Sequence, residues 1–304
     1  MDIHNCKMCP RKCGADRTSG KLGFCGIDGR PHIAEICVHK GEEPVLGGTQ
    51  GVVNVFFSSC NLRCVYCQNY AISQLTPSKK EITSFAEAVN RIAGFLCQGI
   101  NTVGFVSPSH QVFQMKTIID MLHKRGYHPT VIYNTNAYDD PITLREMQSY
   151  IDIYLPDYKY SDESLGVKYS CAPDYPDQAL IAIQEMYYQK GSRLELNDEG
   201  IAESGVIIRH LVLPNNVQNS IKALESIAYD ISPRLHLSLM AQYFPEYKAK
   251  EIPELNRTIS AEEYQQVCGR AEELGLVRGW VQQLSSNENY RPDFQKEGNP
   301  FEKN

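Results

Sequence analysis

The chain has 304 residues, of which 42% are hydrophobic and 22% are charged. This composition supports a sizeable buried core and excludes a disordered chain. Thirty Lys and Arg against 36 Asp and Glu give a net charge of −6, which argues against nucleic-acid binding through a basic surface.

Eleven cysteines make the composition unusual. A secreted disulfide scaffold is excluded, because the number is odd and the first residues lack the apolar core of a secretory signal. No apolar run has the length of a membrane span, so we expect a cytoplasmic protein without a membrane partner. In that reducing compartment, clustered thiols indicate metal or cluster ligands. Eight of the eleven lie in the first 67 residues: Cys6, Cys9, Cys13, Cys25, Cys37, Cys60, Cys64 and Cys67.

The first 50 residues show no clear periodicity and are rich in Cys, Gly and Lys. Cys6, Cys9, Cys13 and Cys25 follow a C-x2-C-x3-C-x11-C pattern, in which four thiolates can close a tetrahedral shell. Thiolates suit both Zn²⁺ and an auxiliary iron–sulfur cluster, and the spacing leaves the choice open. Cys37 is either an extra thiol or an alternative ligand. The pattern predicts a small Cys-rich metal-binding module over residues 1–50.

From residue 51 onward, β-branched apolar runs alternate with segments of helical period. This alternation predicts an α/β fold with right-handed βαβ units and a parallel sheet, either open or curled into a barrel. The expected strands are 52–57, 102–106, 130–133, 151–155, 206–213, 235–240 and, less clearly, 277–282. The expected helices are 84–98, 111–125, 140–149, 174–189, 219–229 and 260–274. We assign 51–285 to this domain and 286–304 to a polar tail, expected to be an extended arm or a frayed end.

Two of the expected helices begin with capping-box spacing. The pairs are Ser84 with Glu87, and Ser260 with Glu263. In such a box each side chain satisfies a backbone N–H of the first turn, so the spacing predicts where the helices begin.

A second cysteine pattern follows the first strand of the domain. Cys60, Cys64 and Cys67 form a C-x3-C-x2-C run. Three thiolates at this spacing can hold three irons of a cubane cluster, leaving the fourth iron open for a substrate or cofactor. A closed shell is typical of a structural site, whereas an open position is what catalysis needs. The alternatives from spacing alone are a zinc site or chance clustering.

Polar residues follow four of the later expected strands and lie within a fifth, 206–213, near the sheet edge where ligands bind in α/β folds. Each alone is explained by turn chemistry or helix capping, but five in succession indicate a site. The segments are Ser107-Pro-Ser-His110, Asn134-Thr-Asn136, Pro156-Asp-Tyr-Lys159, Arg209-His210 and Ala241-Gln-Tyr243.

The Cys60–Cys67 motif, with Tyr66 directly before its last cysteine, resembles the hallmark motif of the radical S-adenosylmethionine (SAM) superfamily. The resemblance implies a partial (β/α)6 barrel and a [4Fe–4S] cluster whose open iron chelates the amino and carboxylate groups of SAM. It also implies that one-electron reduction cleaves SAM to a 5′-deoxyadenosyl radical, which abstracts a hydrogen atom from a substrate.

Later segments resemble the branch of that superfamily that activates glycyl-radical enzymes, typified by pyruvate formate-lyase activating enzyme. They are Thr135-Asn136-Ala137, Asp157-Tyr158-Lys159, and Arg209 ahead of Leu213-Pro214. The N-terminal cysteine motif, together with residues 59–69, is similar to an activating-enzyme-like subgroup of iron–sulfur proteins whose substrate is generally unassigned. One departure is that Ser107-Pro-Ser-His110 stands where the branch has Gly-Gly-Glu, the segment that binds the amino group of SAM.

The resemblance implies a role for each site residue. Cys60, Cys64 and Cys67 bind the cluster, and the cofactor pocket is lined by Tyr66, Ser107, Ser109, Asn134 and Asn136. Asp157 and Lys159 orient cofactor or substrate, and Arg209 pairs with a carboxylate through two hydrogen bonds. The expected substrate is a protein or peptide, such as a glycyl residue of a partner, and the electron donor is of the flavodoxin or ferredoxin type.

Two other functions remain open from the sequence. One is radical modification of a ribosomal peptide or small molecule, with an auxiliary cluster in the N-terminal module. The other is a zinc-stapled binding protein without catalysis. Of the remaining cysteines, Cys97 and Cys268 are expected to be buried small hydrophobes, whereas Cys171 lies in a predicted loop that can reach the active face.

Overall fold

A computed structural model describes residues 1–74, 81–288, 292–296 and 298–302 of the chain. The strands are β1 (Ile33–His39), β2 (Val52–Phe57), β3 (Thr102–Val106), β4 (Thr130–Thr135), β5 (Ile153–Pro156), β6 (Glu195–Leu196), β7 (Ala202–Leu211), β8 (His236–Met240) and β9 (Gly279–Val281). The α-helices are α1 (Tyr70–Ser73), α2 (Phe85–Leu96), α3 (Val112–Lys124), α4 (Pro141–Met147), α5 (Glu163–Ser170), α6 (Tyr175–Lys190), α7 (Val217–Ser226) and α8 (Ala261–Glu273). Short 3-10 turns occupy Pro108–His110, Gln148–Tyr150, Tyr247–Glu251 and Leu284–Glu288, and a π-helix occupies Ile227–Ile231.

The predicted α/β fold and parallel sheet are confirmed. Strands pair in the order β1-β2-β3-β4-β5-β7-β8-β9, and every pair from β2 to β9 along this path is parallel. Helices α2 to α8 lie in the six connections between these parallel strands, as right-handed crossovers require. No pairing closes the two ends of the sheet within the described residues, so the barrel is open.

The sheet also contains a strand that the sequence did not predict. β1 pairs antiparallel with β2 and extends the sheet by residues of the predicted Cys-rich module. Its register shifts between Ile33 and Glu35, and this bulge breaks the alternation by which a half-buried strand is recognised. The two-residue β6 and helix α5 were likewise not predicted, because β6 is too short to show a period and α5 carries only a weak apolar stripe.

Alternate residues of the strands face the two sides of the sheet. On the outer side, Val53, Val55 and Phe105 pack in the main core with helix residues such as Ile92 and Met115. On the inner side, a separate apolar layer closes the amino-terminal end of the sheet. Its members are Leu46, Val52, Ile132, Ile153, Leu155, Ala202 and Ile207. We call this layer the floor.

Only one of the two predicted capping boxes is complete. At the start of α8, Ser260 Oγ accepts from the Glu263 backbone N–H and the Glu263 carboxylate accepts from the Ser260 backbone N–H. At the start of α2, Ser84 Oγ accepts from the Glu87 backbone N–H at 3.4 Å, without the reciprocal bond.

The described part of the tail packs on the domain rather than fraying. Phe294 and Phe301 both contact the Phe56 ring, and the Asn299 side chain donates to the Val38 carbonyl at 2.7 Å. Residues 289–291, 297, 303 and 304 of the predicted tail lie outside the described residues. No helix among the described residues is long and apolar enough to cross a membrane.

Candidate functional site

The loop that carries Cys60, Cys64 and Cys67 begins where β2 ends. Ser59 turns the chain through a left-handed conformation with a φ of 66°. Beyond it, the Arg63 and Val65 backbone N–H groups donate to the carbonyls of Ser170 and Tyr169, at 3.1 and 2.8 Å. The loop is therefore held against the end of α5, which fixes the positions of its cysteines.

All three sulfur atoms have hydrogen-bonding partners. Cys60 Sγ accepts from the Leu62 backbone N–H at 3.4 Å and from Asn136 Nδ2 at 3.3 Å. Cys64 Sγ lies 3.0 Å from Ser170 Oγ, and Cys67 Sγ lies 3.2 Å from Ser73 Oγ. Hydrogen bonds to cluster sulfurs stabilise their negative charge and tune iron–sulfur potentials.

The three thiols are also electrostatic neighbours. Burial and the nearby Cys64 raise the pKa of Cys60 to about 11, and burial with Cys64 and Cys60 raises the pKa of Cys67 to about 12. Thiolates placed this close repel one another unless a cation lies among them. The donor set therefore fits a cationic iron cluster, whose binding displaces the protons.

One cavity of about 230 Å³ contains all three cysteines in its wall. Predicted site residues that also line it are Tyr66, Ser107, Asn134, Asn136, Asp157, Lys159 and Arg209. Gln68, Gln242 and Gln282 complete the far wall, and Phe301 and Pro292 of the tail contribute as well. Because residues from β2 through β9 face one space, the open sheet must curve around it.

Asp157, Lys159 and Arg209 form one partly buried ion-pair network in the cavity wall. Arg209 Nε donates to Asp157 Oδ1 at 2.7 Å, and Lys159 Nζ donates to Asp157 Oδ2 at 2.8 Å. Arg209 Nη2 donates to Asn134 Oδ1 at 2.7 Å, and Nη1 lies 3.6 Å from Glu42 Oε2. Burial opposes the charge of Asp157, but Arg209 and Lys159 outweigh it and lower the pKa of that carboxyl. All three nitrogens of Arg209 thus have protein partners, and its pairing with a ligand carboxylate remains a prediction.

Ser109 differs from the other predicted pocket residues. The left-handed turn at Ser107 starts a 3-10 turn that directs Ser109 away from the cavity. Ser109 is fully buried, and its Oγ lies 3.0 Å from Thr135 Oγ1, which in turn donates to Asp139. Ser109 therefore does not line the cavity itself but contacts Thr135, a residue of the cavity wall, from behind.

Asn136 and Tyr66 connect the cavity to the interior. Asn136 Nδ2 donates to Asn61 Oδ1 at 2.9 Å as well as to Cys60, so it positions the first cysteine. The Tyr66 hydroxyl lies 2.6 Å from the Tyr160 hydroxyl, which is 2.8 Å from Ser170 Oγ. Ser170 Oγ in turn contacts Cys64 Sγ, so this chain of hydroxyl groups ends at a predicted cluster ligand.

Two carboxylates of the cavity were not predicted. Glu42 and Glu43 lie in the loop between β1 and β2, ahead of the domain as the sequence divides it. Ligand-binding residues of parallel sheets are expected after the strands, whereas this loop lies before the parallel strand β2. The only available signal was the adjacent pair of acidic residues, which is more often a solvated turn.

The N-terminal cysteines also come together, around one arginine. Arg17 is buried, donates to the His110 carbonyl at 2.7 Å, and places Nη2 3.6 Å from Cys25 Sγ. Burial with Cys25 and Cys6 as neighbours raises the pKa of Cys9 to about 12.

Cys13 completes this group. Its Sγ lies against Gly23, where a Cβ would come within 2.4 Å of the sulfur. No group of three or more His, Cys, Asp or Glu side chains in the described part of the chain is arranged around a single metal ion.

The two cysteine groups adjoin. Arg63 Nη2 donates to the Phe24 carbonyl at 2.6 Å, and its Nη1 donates to the Cys60 carbonyl at 2.7 Å. Ser59 Oγ donates to the Cys25 carbonyl. The N-terminal segment therefore packs directly behind the loop that carries Cys60.

The other cysteines lie elsewhere. Cys37 is buried in β1 beside Phe56, and burial raises its pKa to about 12. The expectation that Cys97 is buried is wrong, because it caps the end of α2 and is exposed. Cys268 is half-buried, and Cys171 is exposed at the left-handed end of α5.

No protein-family model matches the chain. The uncharacterized protein MJ0674 of Methanocaldococcus jannaschii is 31% identical over 286 residues, which are 90% of this chain and 75% of that protein. The chain belongs to the MJ0674 family. A second uncharacterized protein of that organism, MJ0808, is 30% identical over 112 residues, covering 32% of this chain and 33% of MJ0808. Because both relatives are uncharacterized, membership in the MJ0674 family carries no activity with it.

Two solved structures have a partly similar arrangement. The structure of TYW1 with a lysine-pyruvate adduct bound has a TM-score of 0.49 and 12% identity, covering 80% of each chain. The crystal structure of Streptococcus suis SuiB bound to precursor peptide SuiA has a TM-score of 0.48 and 11% identity, covering 80% of this chain and 51% of SuiB. Likenesses at this level carry no argument about the activity of this MJ0674-family member.

Proposed function

We propose that this chain is a radical SAM enzyme. The observation that carries the proposal is the convergence of Cys60, Cys64 and Cys67 on one cavity beyond the carboxyl end of β2. No fourth cysteine lines the described wall of that cavity, so a cubane held there keeps one iron open. When bound, the cluster and SAM supply reductive cleavage of SAM and a radical that takes a hydrogen atom from the substrate.

The residues around the cysteines suit this function. Asn136, Ser170 and Ser73 contact the sulfur atoms, which would stabilise the ligands as thiolates. Ser107 and Asn134 offer polar groups from neighbouring strand ends. Asp157, Lys159 and Arg209 hold one another rigidly, and a preorganised set of charges orients a ligand without reorganising.

We infer that Ser107 and backbone carbonyls near it accept the ammonium hydrogens of SAM, in place of the absent Gly-Gly-Glu segment. The substrate that loses the hydrogen atom is proposed to be a protein or peptide group, such as a glycyl residue. A flavodoxin or ferredoxin would supply the electron.

A second candidate, peptide or small-molecule modification with an auxiliary cluster, is supported by one contact. Arg63 joins the carbonyls of Phe24 and Cys60, so a metal group on Cys6, Cys9, Cys13 and Cys25 would lie next to the catalytic loop. Such proximity suits electron transfer or substrate binding by that group.

The test is anaerobic reconstitution with iron and sulfide, followed by addition of SAM and dithionite. We expect the wild-type protein to form 5′-deoxyadenosine, and Cys60→Ala to form none. Cys97→Ala is the matched control, because Cys97 is exposed at the end of α2 and should leave the product unchanged. Full SAM cleavage by Cys60→Ala, or a colourless wild-type protein that binds only zinc, would refute the proposal.

A further inference from the structure

On the inner side of the sheet, residues at different heights along the strands lie between the apolar floor and the cysteine loop. Asn54 of β2 and Asn134 of β4 face the cavity one step above the apolar floor residues Val52 and Ile132. A strand rises about 3.3 Å per residue, so Asn54 lies about 10 Å below the end of β2 at Phe57. The cysteine loop starts beyond that end, and a ligand in the cavity therefore meets different residues at its two ends.

Glu42 and Glu43 lie at this lower level. Glu42 Oε1 accepts from Asn54 Nδ2 at 2.7 Å, and Glu42 Oε2 lies 3.6 Å from Arg209 Nη1. The Asn54 side chain occupies space left by Gly104, where a Cβ would come within 2.3 Å of Asn54 Oδ1. These contacts fix Glu42 to the inner side of the sheet.

Glu43 is the unexplained group of the cavity. This residue is 8% exposed and lines the cavity, yet its enclosed Oε2 has no hydrogen-bond partner among the described residues. A buried carboxylate oxygen without a partner costs free energy, so native proteins keep few of them. Burial raises the pKa of Glu43, whereas Arg209 and the Ser238 hydroxyl oppose this shift.

The charges of the described cavity wall do not balance. Three carboxylates, Glu42, Glu43 and Asp157, face two cations, Lys159 and Arg209. Both cations are bound to Asp157, and Arg209 is also the neighbour of Glu42. Burial lowers the pKa of His39, which also lines this wall, so His39 adds no cation at neutral pH. With all three carboxyls ionised, one negative charge is left without a fixed partner in the described wall.

The loop that carries the pair is rigid. The Gly51 backbone N–H donates to the Gly47 carbonyl at 2.9 Å, and the Ala202 backbone N–H donates to the Val45 carbonyl at 2.9 Å. Leu46 is buried in the floor. The carboxylates are therefore held in place before any ligand arrives.

We propose that Glu42 and Glu43 form the cation-binding end of the substrate site, selecting a substrate with a protonated amine or guanidinium group. This inference rests on the proposed function and adds the substrate class to it. The cationic group would occupy the level of Asn54, with the Glu43 carboxylate as its acceptor, while the rest of the substrate extends toward the cysteine end. A charge-assisted bond to a buried carboxylate is strong enough to discriminate a cation from a neutral analogue about tenfold.

The test measures binding to the anaerobically reconstituted protein in the presence of SAM. The probes are 1-pentylammonium, 1-pentylguanidinium and the neutral pentan-1-ol, titrated by calorimetry into wild type, Glu42→Gln, Glu43→Gln and the control Glu35→Gln. Glu35 lies in β1 outside the cavity and pairs with Arg91. We expect at least one cationic probe to bind about tenfold tighter than pentan-1-ol to wild type and to the control, and this preference to vanish in Glu43→Gln.

Equal affinities for cationic and neutral probes in wild type, or an unchanged preference in both cavity variants, would overturn the inference. Weaker SAM binding in Glu42→Gln and Glu43→Gln, with no change for the amines, would overturn it too, since the pair would then hold SAM. Production of 5′-deoxyadenosine in the same samples reports separately on the proposed function. Wild type that cleaves SAM but shows no cation preference overturns only the substrate class.

Discussion

Among single residues, Asp157 joins the two cations of the described cavity wall. It accepts from both Lys159 and Arg209, and all three side chains are largely buried. Removing one partner of a buried ion pair costs more than the pair contributes, because the remaining charges keep their desolvation penalty.

Asp157→Asn should therefore destabilise the protein by about 3 kcal/mol. The Asn side chain retains the shape but leaves two buried cations with one neutral acceptor. Urea denaturation of the variant and of Asp120→Asn provides the comparison. Asp120 pairs with Lys116 in an exposed i,i+4 position, so its variant should change stability by less than about 0.5 kcal/mol. Equal effects at the two sites would contradict the role given to Asp157.

His32 makes stability depend on pH. Its ring nitrogens lie 2.9 Å from Asp28 and 3.0 Å from Glu81, and although burial opposes the charge, these carboxylates raise the pKa of His32. A raised pKa stabilises the fold below the ordinary value of 6.5, and this contribution is lost as pH rises through the folded-state value. Buried His110 and His210, with pKa values lowered to about 3 and about 4, act in the opposite direction at lower pH.

His32→Gln should therefore reduce stability at pH 6 more than at pH 8. The measurement is the difference in unfolding free energy between wild type and variant at the two values, which cancels the other histidines. A difference that grows toward pH 8 would show that His32 does not bind its proton more tightly in the folded protein.

Among elements, the two predicted capping boxes are expected to differ in how much they stabilise the protein. The box of α8 has both reciprocal bonds, and Glu263 also binds Arg257. Ser84 of α2 makes a single bond at 3.4 Å. Ser260→Ala should destabilise the protein by about 1 kcal/mol, and Ser84→Ala by less. Thermal unfolding of the two variants under one set of conditions compares these losses of stability. A larger loss of stability in Ser84→Ala would contradict the prediction.

Elements also show how much could be predicted from sequence. β3 was predicted at its observed ends because Thr102–Val106 is a continuous apolar run between polar segments. Cys60, Cys64 and Cys67 were predicted to bind one metal group because of their spacing, and all three line one cavity. β1 was not predicted because a bulge breaks the alternation of buried and exposed side chains along it.

Residues of the site were missed for a different reason. Glu42 and Glu43 enter the cavity only because the β1–β2 loop closes the floor, which is a tertiary contact with no local signal. Ser109 was predicted to face the pocket from its position after β3. The left-handed backbone conformation of Ser107 turns Ser109 away from the cavity and into the protein interior. Sequence does not predict such a conformation for a residue other than glycine.

For the whole molecule, we predict a second metal group on the N-terminal cysteines. Cys6, Cys9 and Cys25 surround Arg17, and the segment packs behind the loop that carries Cys60. We expect Cys6→Ala and Cys9→Ala to lose a metal group while keeping the cluster on Cys60, Cys64 and Cys67.

Analysis of iron, sulfide and zinc distinguishes the two forms of this group. Loss of zinc would assign a structural site, and loss of iron with sulfide would assign an auxiliary cluster. Unchanged metal content in both variants would contradict the prediction of a second site. Cys268→Ala, outside both cysteine groups, is the control for thiol removal.

The central claim is an iron cluster on three cysteines with one iron open to SAM. Its most direct test is the electron paramagnetic resonance spectrum of the reduced, reconstituted protein before and after SAM is added. A Cys6→Ala, Cys9→Ala background isolates the signal of the cavity. We expect a [4Fe–4S]⁺ signal that SAM shifts and that Cys60→Ala abolishes. A spectrum that SAM leaves unchanged, or a signal that survives the loss of Cys60, would contradict the account.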